Sequence, residues 1–183
     1  MEPLSGPRFA QPLSLGDWLP LPMPKPKGAV PTGYHTVTHA LVVDDAGKAI
    51  TFYTEALGAR VRNRVPGPGG KVWHAELEIG DSVIMLSDEF PGSELRPPKS
   101  LGGTSASVWL YVPDVDAAFQ RAVAAGAKPT QQPQTMFWGD RFGSITDPFG
   151  HLWSIASHVE DVPAAEMDKR REATMNAPGG GSA

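Results

Sequence analysis

The chain contains no cysteine. Disulfide bridges, thiolate metal ligands and a cysteine nucleophile are therefore excluded. The sequence also lacks a run of about 18 apolar residues, the length that a helix needs to cross a bilayer. Its first residues lack the basic and apolar segments of a secretory signal, so we expect a cytoplasmic protein with no membrane partner.

Basic residues are also scarce. Lysine and arginine together number 16, against 20 acidic residues, which gives a net charge of −4. No basic stripe suited to nucleic-acid phosphates is visible, so we expect no nucleic-acid partner. The glycine run at residues 179–181 has no helix after it to hold a phosphate, so we interpret it as a flexible end. With 40% hydrophobic and 20% charged residues, the composition is that of a globular protein.

Hydrophobic periodicity predicts the same order of elements twice. A β-branched strand leads through an aspartate cap into an amphipathic helix that ends at a glycine, and three short strands follow. A linker rich in proline, glycine and serine separates the two copies. The predicted elements are strand 36–43, helix 46–57 and strands 59–65, 72–79 and 82–87, then strand 105–112, helix 114–125 and strands 128–132, 141–146 and 151–157.

An internal repeat relates the two copies. A shift of 69 residues carries Leu41 to Leu110, Asp45 to Asp114 and Leu86 to Ile155. A constant shift across strand, helix and last strand indicates a duplicated β-α-β-β-β module. We therefore predict an α+β fold in which two tandem modules form a cupped mixed sheet with the helices on its convex face.

The predicted organisation has three parts. Residues 1–33 form a proline-rich extension, which is either a floppy tail or an arm that packs Trp18 and Leu21 onto the domain or a partner subunit. Residues 34–162 form the domain, with module one at 34–88, a linker at 89–103 and module two at 104–158. A short charged helix and a flexible tail occupy residues 163–183.

Several motifs resemble the vicinal-oxygen-chelate superfamily of glyoxalases, bleomycin-resistance proteins and dioxygenases. The strand and helix around Asp44-Asp45 and Phe52-Tyr53, and the hairpin Asp147-Pro148-Phe149-Gly150, are similar to that superfamily. His74-Ala75-Glu76-Leu77, Phe137-Trp138-Gly139-Asp140-Arg141 and His158-Val159-Glu160-Asp161 resemble its PhnB-like subgroup. The resemblance implies a cup that holds a small molecule and a homodimer in which modules from two subunits complete a cup.

The resemblance also implies four metal-ligand positions, two in each module. In this sequence they are occupied by Thr38, Met85, Ser107 and Ser154. None is a histidine or a carboxylate, and hydroxyls and a thioether are poor ligands for Zn²⁺, Ni²⁺, Fe²⁺ or Mn²⁺. We therefore expect neither the family's metal nor any other cofactor, and interpret the four residues as ligand-binding.

Strand alternation extends the predicted cup wall. Trp109 and Tyr111 share the face of Ser107, whereas Trp153 must point outward under a helix. Trp138 is expected to add flat apolar contact. Arg141, beside Trp138, either clamps a carboxylate or phosphate of the ligand or forms a salt bridge to Asp140 or Asp147.

Two histidines leave alternatives open. His74 and Glu76 share one face of a strand, where they could act as general acid and base, bind a displaced metal, or simply be solvated. His39 lies one residue from Thr38 and therefore faces the helix, unless a β-bulge turns it into the cup.

The sequence supports three hypotheses about function. The first is a small-molecule-binding protein without the usual metal site, like bleomycin-resistance relatives that sequester a drug. The second is a lyase or isomerase for a small oxygenated substrate, with His74 and Glu76 as catalytic residues or metal ligands. The third is a scaffold with an inactive cup, so whether the chain is an enzyme is left open.

Overall fold

Eight strands and four helices form from residues 27–176, the part of the chain that this computed structural model describes. A single turn of 3₁₀-helix at Pro68–Gly70 joins the second and third strands. The elements are β1 (His39–Val43), α1 (Ala46–Leu57), β2 (Arg60–Pro66), β3 (Val72–Ile79), β4 (Ser82–Asp88), α2 (Pro98–Leu101), β5 (Ser107–Tyr111), α3 (Val115–Ala124), β6 (Lys128–Thr135), β7 (Asp140–Thr146), β8 (Leu152–His158) and α4 (Ala164–Asn176).

The strands form two four-stranded mixed sheets with the same topology. Their orders are β1-β4-β3-β2 and β5-β8-β7-β6, and in each the first strand pairs in parallel with the last. All other pairs are antiparallel. The predicted α+β class with two tandem β-α-β-β-β modules is confirmed. Among the described residues no strand pair joins the two sheets, so the mixed sheet is divided between the modules.

The repeat is visible in how each module begins its helix. Asp45 and Asp114 are the N-caps of α1 and α3, and their carboxylates accept hydrogen bonds from the backbone amides of Lys48 and Ala117. These bonds satisfy amides that have no partner within the helix. At the other end of α1, Gly58 adopts the left-handed conformation that closes the helix.

A second pair of equivalent residues fastens each helix to the last strand of its sheet. Asp88 in β4 accepts hydrogen bonds from the amides of Ala46 and Val72, at 3.0 and 2.6 Å. Ser157 in β8 accepts one from the amide of Val115 at 3.0 Å and donates one to the carbonyl of Val112 at 2.7 Å. Both side chains are buried, so each satisfies backbone groups that water cannot reach.

The helices and sheets share one hydrophobic core that spans both modules. Helices α1 and α3 pack against each other, and each also covers one face of its own sheet. Tyr53 of α1 reaches into module two, where its hydroxyl donates to Asp147 at 2.7 Å and its ring lies 5.4 Å from that of Trp153. Burial, together with the Asp147 carboxylate, raises the pKa of Tyr53 well above its usual value.

The sheet faces that turn away from the helices are called open faces below. In module one the open face carries Ala40, Val42, His74, Glu76, Met85 and Ser87. In module two it carries Ser107, Trp109, Tyr111, Asp140, Phe142, Ser154 and His158. Strand pairing supports both sets, because Ala40 and Glu76 pair with Met85, and Trp109 and Phe142 pair with Ser154 and Ala156.

The segments outside the modules are only partly described. The predicted linker contains α2, whose Lys99 forms an ion pair with Asp44 at 2.9 Å. The predicted C-terminal helix is present as α4, and none of its side chains is buried. The proposed arm with Trp18 and Leu21, and the glycine run at 179–181, lie outside the described residues. No helix within residues 27–176 is long and apolar enough to cross a membrane.

Candidate ligand-binding site

Four aromatic rings cover much of the open face of module two. The ring centroids of Trp109 and Trp138 lie 5.1 and 5.8 Å from that of Phe142, and Trp109 lies 6.3 Å from Tyr111. Phe142 is buried beneath the tryptophans, whereas Trp109 and Tyr111 are 43% and 59% exposed. We call Trp109, Tyr111, Trp138 and Phe142 the aromatic face.

The buried carboxylate of Asp140 binds polar atoms at one edge of the aromatic face, which is called the rim below. Its Oδ2 atom accepts hydrogen bonds from the Tyr111 hydroxyl at 2.9 Å and from Trp138 Nε1 at 3.2 Å. Its Oδ1 atom lies 2.8 Å from His158 Nδ1. Asp140 is only 5% exposed, so its negative charge requires these partners. Burial alone raises the pKa of Asp140, but the bonds from His158, Tyr111 and Trp138 outweigh it and lower that pKa.

His158 links Asp140 to the exposed end of the network. Its Nε2 atom lies 3.0 Å from an oxygen of Asp161, a fully exposed carboxylate. Hydrogen bonds to Asp140 and then to Asp161 raise the pKa of His158. The hydrogen bond to Asp140 likewise raises the pKa of Tyr111. The network therefore contains two carboxylates around one imidazole, and the donors of Tyr111 and Trp138 both point inward to Asp140.

The turn before β7 places Trp138 and Asp140 on this rim. Gly139 has a φ of 96°, a left-handed conformation that glycine adopts without strain. Its carbonyl accepts hydrogen bonds from the amides of Val159 and Glu160, at 2.9 and 3.0 Å. A Cβ at Gly139 would overlap the carbonyl of Glu160. Only glycine lets the two segments approach this closely.

The predicted serines lie beside the aromatic face. Ser107 is exposed at the start of β5, and Ser154 is buried in β8 opposite Trp109. The Ser154 hydroxyl lies 3.4 Å from that of Ser144 on β7. Five of the eight predicted ligand-binding residues thus converge on one face: Ser107, Trp109, Tyr111, Trp138 and Ser154.

The open face of module one gathers the predicted catalytic pair. His74 Nε2 lies 3.6 Å from Glu76 Oε1, and both side chains are partly exposed. Hydrogen bonding to Glu76 raises the pKa of Tyr34. Met85 pairs with Glu76 across the sheet and helps to line a cavity of about 270 Å³ with Ala40, Trp73, His74 and Ser87. Thr38, just before β1, donates its hydroxyl to the carbonyl of His35 at 3.1 Å.

Arg141 does not lie on the open face, and its predicted position there is wrong. It pairs with Ser157, on the helix side of β8, and its guanidinium forms two hydrogen bonds to Asp116 of α3, at 2.8 and 2.7 Å. The suggested alternative partners, Asp140 and Asp147, are also wrong. The connection between the paired residues Thr146 and Leu152 is five residues long, 147–151. It is thus one residue longer than the predicted connection between strands 141–146 and 151–157. A shift of one residue moves each side chain of a strand to the other face.

His39 also lies away from both open faces. It shares the side of Leu41 and Val43 on β1, as strand alternation predicts, and no bulge separates it from them. It lines a groove of about 730 Å³ between β1 and the linker, together with His151. Burial, followed by the proximity of His151, lowers the pKa of His39.

Sequence reasoning missed two functional candidates, Phe142 and Asp140. Asp140 was considered only as a partner of Arg141, yet it is the residue that anchors Tyr111, Trp138 and His158. A signal was present, because Asp140 and His158 both belong to segments that resemble the PhnB-like subgroup and Asp140 is the cross-strand partner of His158. Using that signal required the length of the β7–β8 connection, which the sequence alone does not fix.

Comparison with known proteins agrees with this architecture. The family model of the glyoxalase/bleomycin resistance protein/dioxygenase superfamily matches residues 33–155, so the chain belongs to that superfamily. It is 46% identical over 144 residues to an uncharacterized protein of Mycobacterium bovis, a match that covers 77% of this chain and 92% of the relative.

Two solved structures are similar to it at the level of sequence and fold. The crystal structure of TioX from Micromonospora is 29% identical, with a TM-score of 0.53, and the match covers 67% of this chain and 100% of that one. The X-ray structure of a gene product from Arabidopsis thaliana is 28% identical, with a TM-score of 0.56, and the match covers 67% and 98%.

The residues at the four implied metal positions do not fit a divalent transition metal. Thr38, Ser107 and Ser154 offer neutral hydroxyls and Met85 offers a thioether, whereas such ions require imidazole or carboxylate ligands. The hydroxyl of Thr38 is already bonded to a carbonyl, and that of Ser154 lies beside Ser144. Met85 belongs to the sheet of module one, Thr38 precedes the first strand of that sheet, and the two serines belong to the other sheet.

Proposed function

We propose that this chain is a small-molecule-binding protein and that its ligand stacks on the aromatic face of module two. The observation that carries the proposal is the exposure of Trp109 and Tyr111 over a buried Phe142, on a rim fixed by a buried carboxylate. Large exposed rings on a rigid strand offer contact area at little cost in side-chain entropy. Surfaces lined by aromatic side chains with a few fixed polar groups are typical of ligand sites.

The proposal retains most of the predicted ligand-binding residues. Ser107, Trp109, Tyr111, Trp138 and Ser154 form the site on module two, and Arg141 is no longer part of it. We assign the chain to the PhnB-like subgroup on the motifs that carry Trp138, Asp140 and His158. A cytoplasmic location stays a prediction.

We propose that Thr38 and Met85 contribute through a homodimer. Met85 lies on the open face of module one and Thr38 just before its first strand, and within residues 32–176 no hydrogen bond, ion pair or ring contact joins the two open faces. A second copy could place its module one opposite the aromatic face and cover Trp109 and Tyr111. Sedimentation at micromolar concentration is expected to give the mass of two chains, and a monomer would remove Thr38 and Met85 from the site.

The enzymatic alternative is supported by the 3.6 Å approach of His74 to Glu76 on module one. A lyase or isomerase would use them as base and acid on a small oxygenated substrate. The aromatic face gives the binding hypothesis more contact area, so we favour it. A reaction with an oxygenated substrate that is abolished by His74→Ala but retained in Trp109→Ala would reverse this preference.

A flat neutral probe tests the binding proposal. We expect 9-(hydroxymethyl)anthracene to bind, with its dissociation constant raised at least tenfold in Trp109→Ala, because the substitution removes the largest exposed ring of the site. Calorimetric titration of both proteins provides the measurement.

Leu101→Ala is the matched control, since Leu101 is 65% exposed and lies in α2, outside both open faces. Binding in this variant is expected to equal that of the unmodified protein. The proposal fails if Trp109→Ala binds normally, or if both variants lose affinity equally, which would indicate adsorption to any exposed apolar side chain.

A further inference from the structure

We infer that the aromatic face selects flat ligands that are cationic or neutral and rejects carboxylates and phosphates. This inference rests on the proposed function and specifies the ligand class. The observations behind it are the direction of the Tyr111 and Trp138 donors and the sign of the charges on the rim.

The donors near the rings are already occupied. The Tyr111 hydroxyl and Trp138 Nε1 both point to Asp140, at 2.9 and 3.2 Å, so neither is directed at a ligand. The arginine closest in sequence, Arg141, lies on the opposite face with both hydrogen bonds given to Asp116. An anionic group placed on the rings would therefore lose hydration without gaining a hydrogen bond from Tyr111, Trp138 or Arg141, which is costly.

The charges on the rim are mostly negative. Asp140 and Asp161 flank His158, whose ring atoms already approach both carboxylates. The neighbouring Arg170 is matched by Glu160 and Glu166. Lys128 shares the open face but pairs with Thr146, six residues along β7 from Asp140 and roughly 20 Å away at the usual rise of a strand.

The same features attract a cation. The π-face of an indole or phenol ring is negative, so a cationic group over Trp109 or Tyr111 is stabilised. Asp161, fully exposed beside His158 on the rim, adds a negative charge at the edge of the face. The charge that a second copy would bring to the site in the predicted homodimer is also negative. On module one, Arg60 and Arg62 both contact Glu78. Glu76 therefore has no arginine or lysine partner within the described residues.

Three probes that share one ring system and differ in charge test the inference. They are 9-(aminomethyl)anthracene, 9-(hydroxymethyl)anthracene and anthracene-9-carboxylate, titrated at pH 7.5 and low salt. We expect the cation to bind at least tenfold more tightly than the carboxylate, with the neutral probe between them. Added salt should reduce the difference, because exposed charges are screened.

Substitution of Asp161, the exposed carboxylate on the rim, tests whether the preference for a cation arises at this site. Asp161→Asn is expected to weaken the cationic probe by about threefold and to leave the neutral probe unchanged. The matched control is Asp81→Asn, which removes an exposed carboxylate on module one and should change neither.

The outcomes separate this inference from the proposed function. Equal or tighter binding of the carboxylate probe, with loss of all binding in Trp109→Ala, overturns the charge selection and leaves the site in place. An equal effect of Asp161→Asn and Asp81→Asn on the cationic probe overturns it too, because the preference would then reflect net charge. If none of the three probes binds, the proposed function and the inference both fail.

Discussion

The two open faces occupy equivalent positions of the repeat, yet their chemistry differs. Ala40 and Val42 of module one correspond to Trp109 and Tyr111 of module two. Glu76 pairs with Met85 as Ser144 pairs with Ser154, so His74 corresponds to Phe142. Module one therefore presents an imidazole and a carboxylate beside small side chains, where module two presents stacked rings.

The helix-facing sides have changed much less. Leu41 and Leu86 correspond to Leu110 and Ile155, and the caps Asp45 and Asp114 make the same hydrogen bond. Packing constrains these positions, because a change of volume in a shared core leaves a cavity or strain. The open faces are free of that constraint, and their divergence points to them as the location of function.

The contrast between a core position and an open-face position predicts the largest effect. Trp153 is 1% exposed, stacks on Tyr53 and donates to Asp147 at 3.0 Å. Trp153→Ala should lower the free energy of unfolding by about 3–5 kcal/mol, since it opens a buried cavity. Trp109→Ala should cost about 1–2 kcal/mol, because much of that ring is already in water.

Denaturant titration of both variants provides the measurement. Equal losses, or a larger loss in Trp109→Ala, would contradict the assignment of the two faces. Trp109→Phe serves as the control, since it keeps a ring over Phe142 and should recover most of the stability.

Asp88 and Ser157, the equivalent residues that fasten each helix to its sheet, predict a smaller difference in the free energy of unfolding. Asp88→Ala leaves the amides of Ala46 and Val72 without their acceptor and should cost about 2–4 kcal/mol. Ser157→Ala removes the acceptor of one amide, that of Val115, and should cost about 1–2 kcal/mol.

Asp88→Asn is the matched control, because one amide oxygen can still accept a hydrogen bond, and its cost should lie between the two. Thermal unfolding of the three variants gives the ranking. A loss in Ser157→Ala as large as that in Asp88→Ala would mean that the number of orphaned amides does not decide the cost.

The sequence predicts the elements well and the site only in part. Helix 46–57 and strand 72–79 are found at the predicted residues, because periodicity, caps and glycines all act locally. The facing of Trp109 and Trp153 also follows from alternation. Arg141 was misplaced because its facing depends on the length of one connection, and Asp140 was overlooked because its partners come from β5, the preceding turn and β8. Contacts between distant segments leave no local pattern.

His158 predicts a pH dependence of stability that arises in module two. Its folded pKa is raised, so its contribution to stability is present in full below the unfolded value of about 6.5 and is lost as the pH rises through the folded value. The pKa of Asp140 is lowered, so its contribution is present above about 3.9 and is lost at lower pH. The stability difference between the unmodified protein and His158→Gln should therefore be largest near pH 5 and shrink above pH 7.

Denaturant titrations at pH 5, 6, 7 and 8 follow this difference. In an Asp140→Asn background it should be smaller and less dependent on pH, because the main partner of His158 is then uncharged. A difference that is constant from pH 5 to 8 in the unmodified background would show that His158 does not titrate as this network requires.

The smallest expected effect concerns Arg141, and it separates the two sides of module two. Arg141 and Asp116 are partly exposed, so a double-mutant cycle with Arg141→Ala and Asp116→Ala should give only the weak coupling that is usual for a surface ion pair. The same Arg141→Ala variant should bind anthracene-9-carboxylate as weakly as the unmodified protein does, because the guanidinium points toward α3 and not toward the rings.

Lys128→Ala is the control for a basic residue that does share the open face. A marked loss of carboxylate binding in Arg141→Ala would mean that Arg141 leaves Asp116 to reach the ligand, and the division between an aromatic binding face and a helix-facing side would no longer hold at that strand.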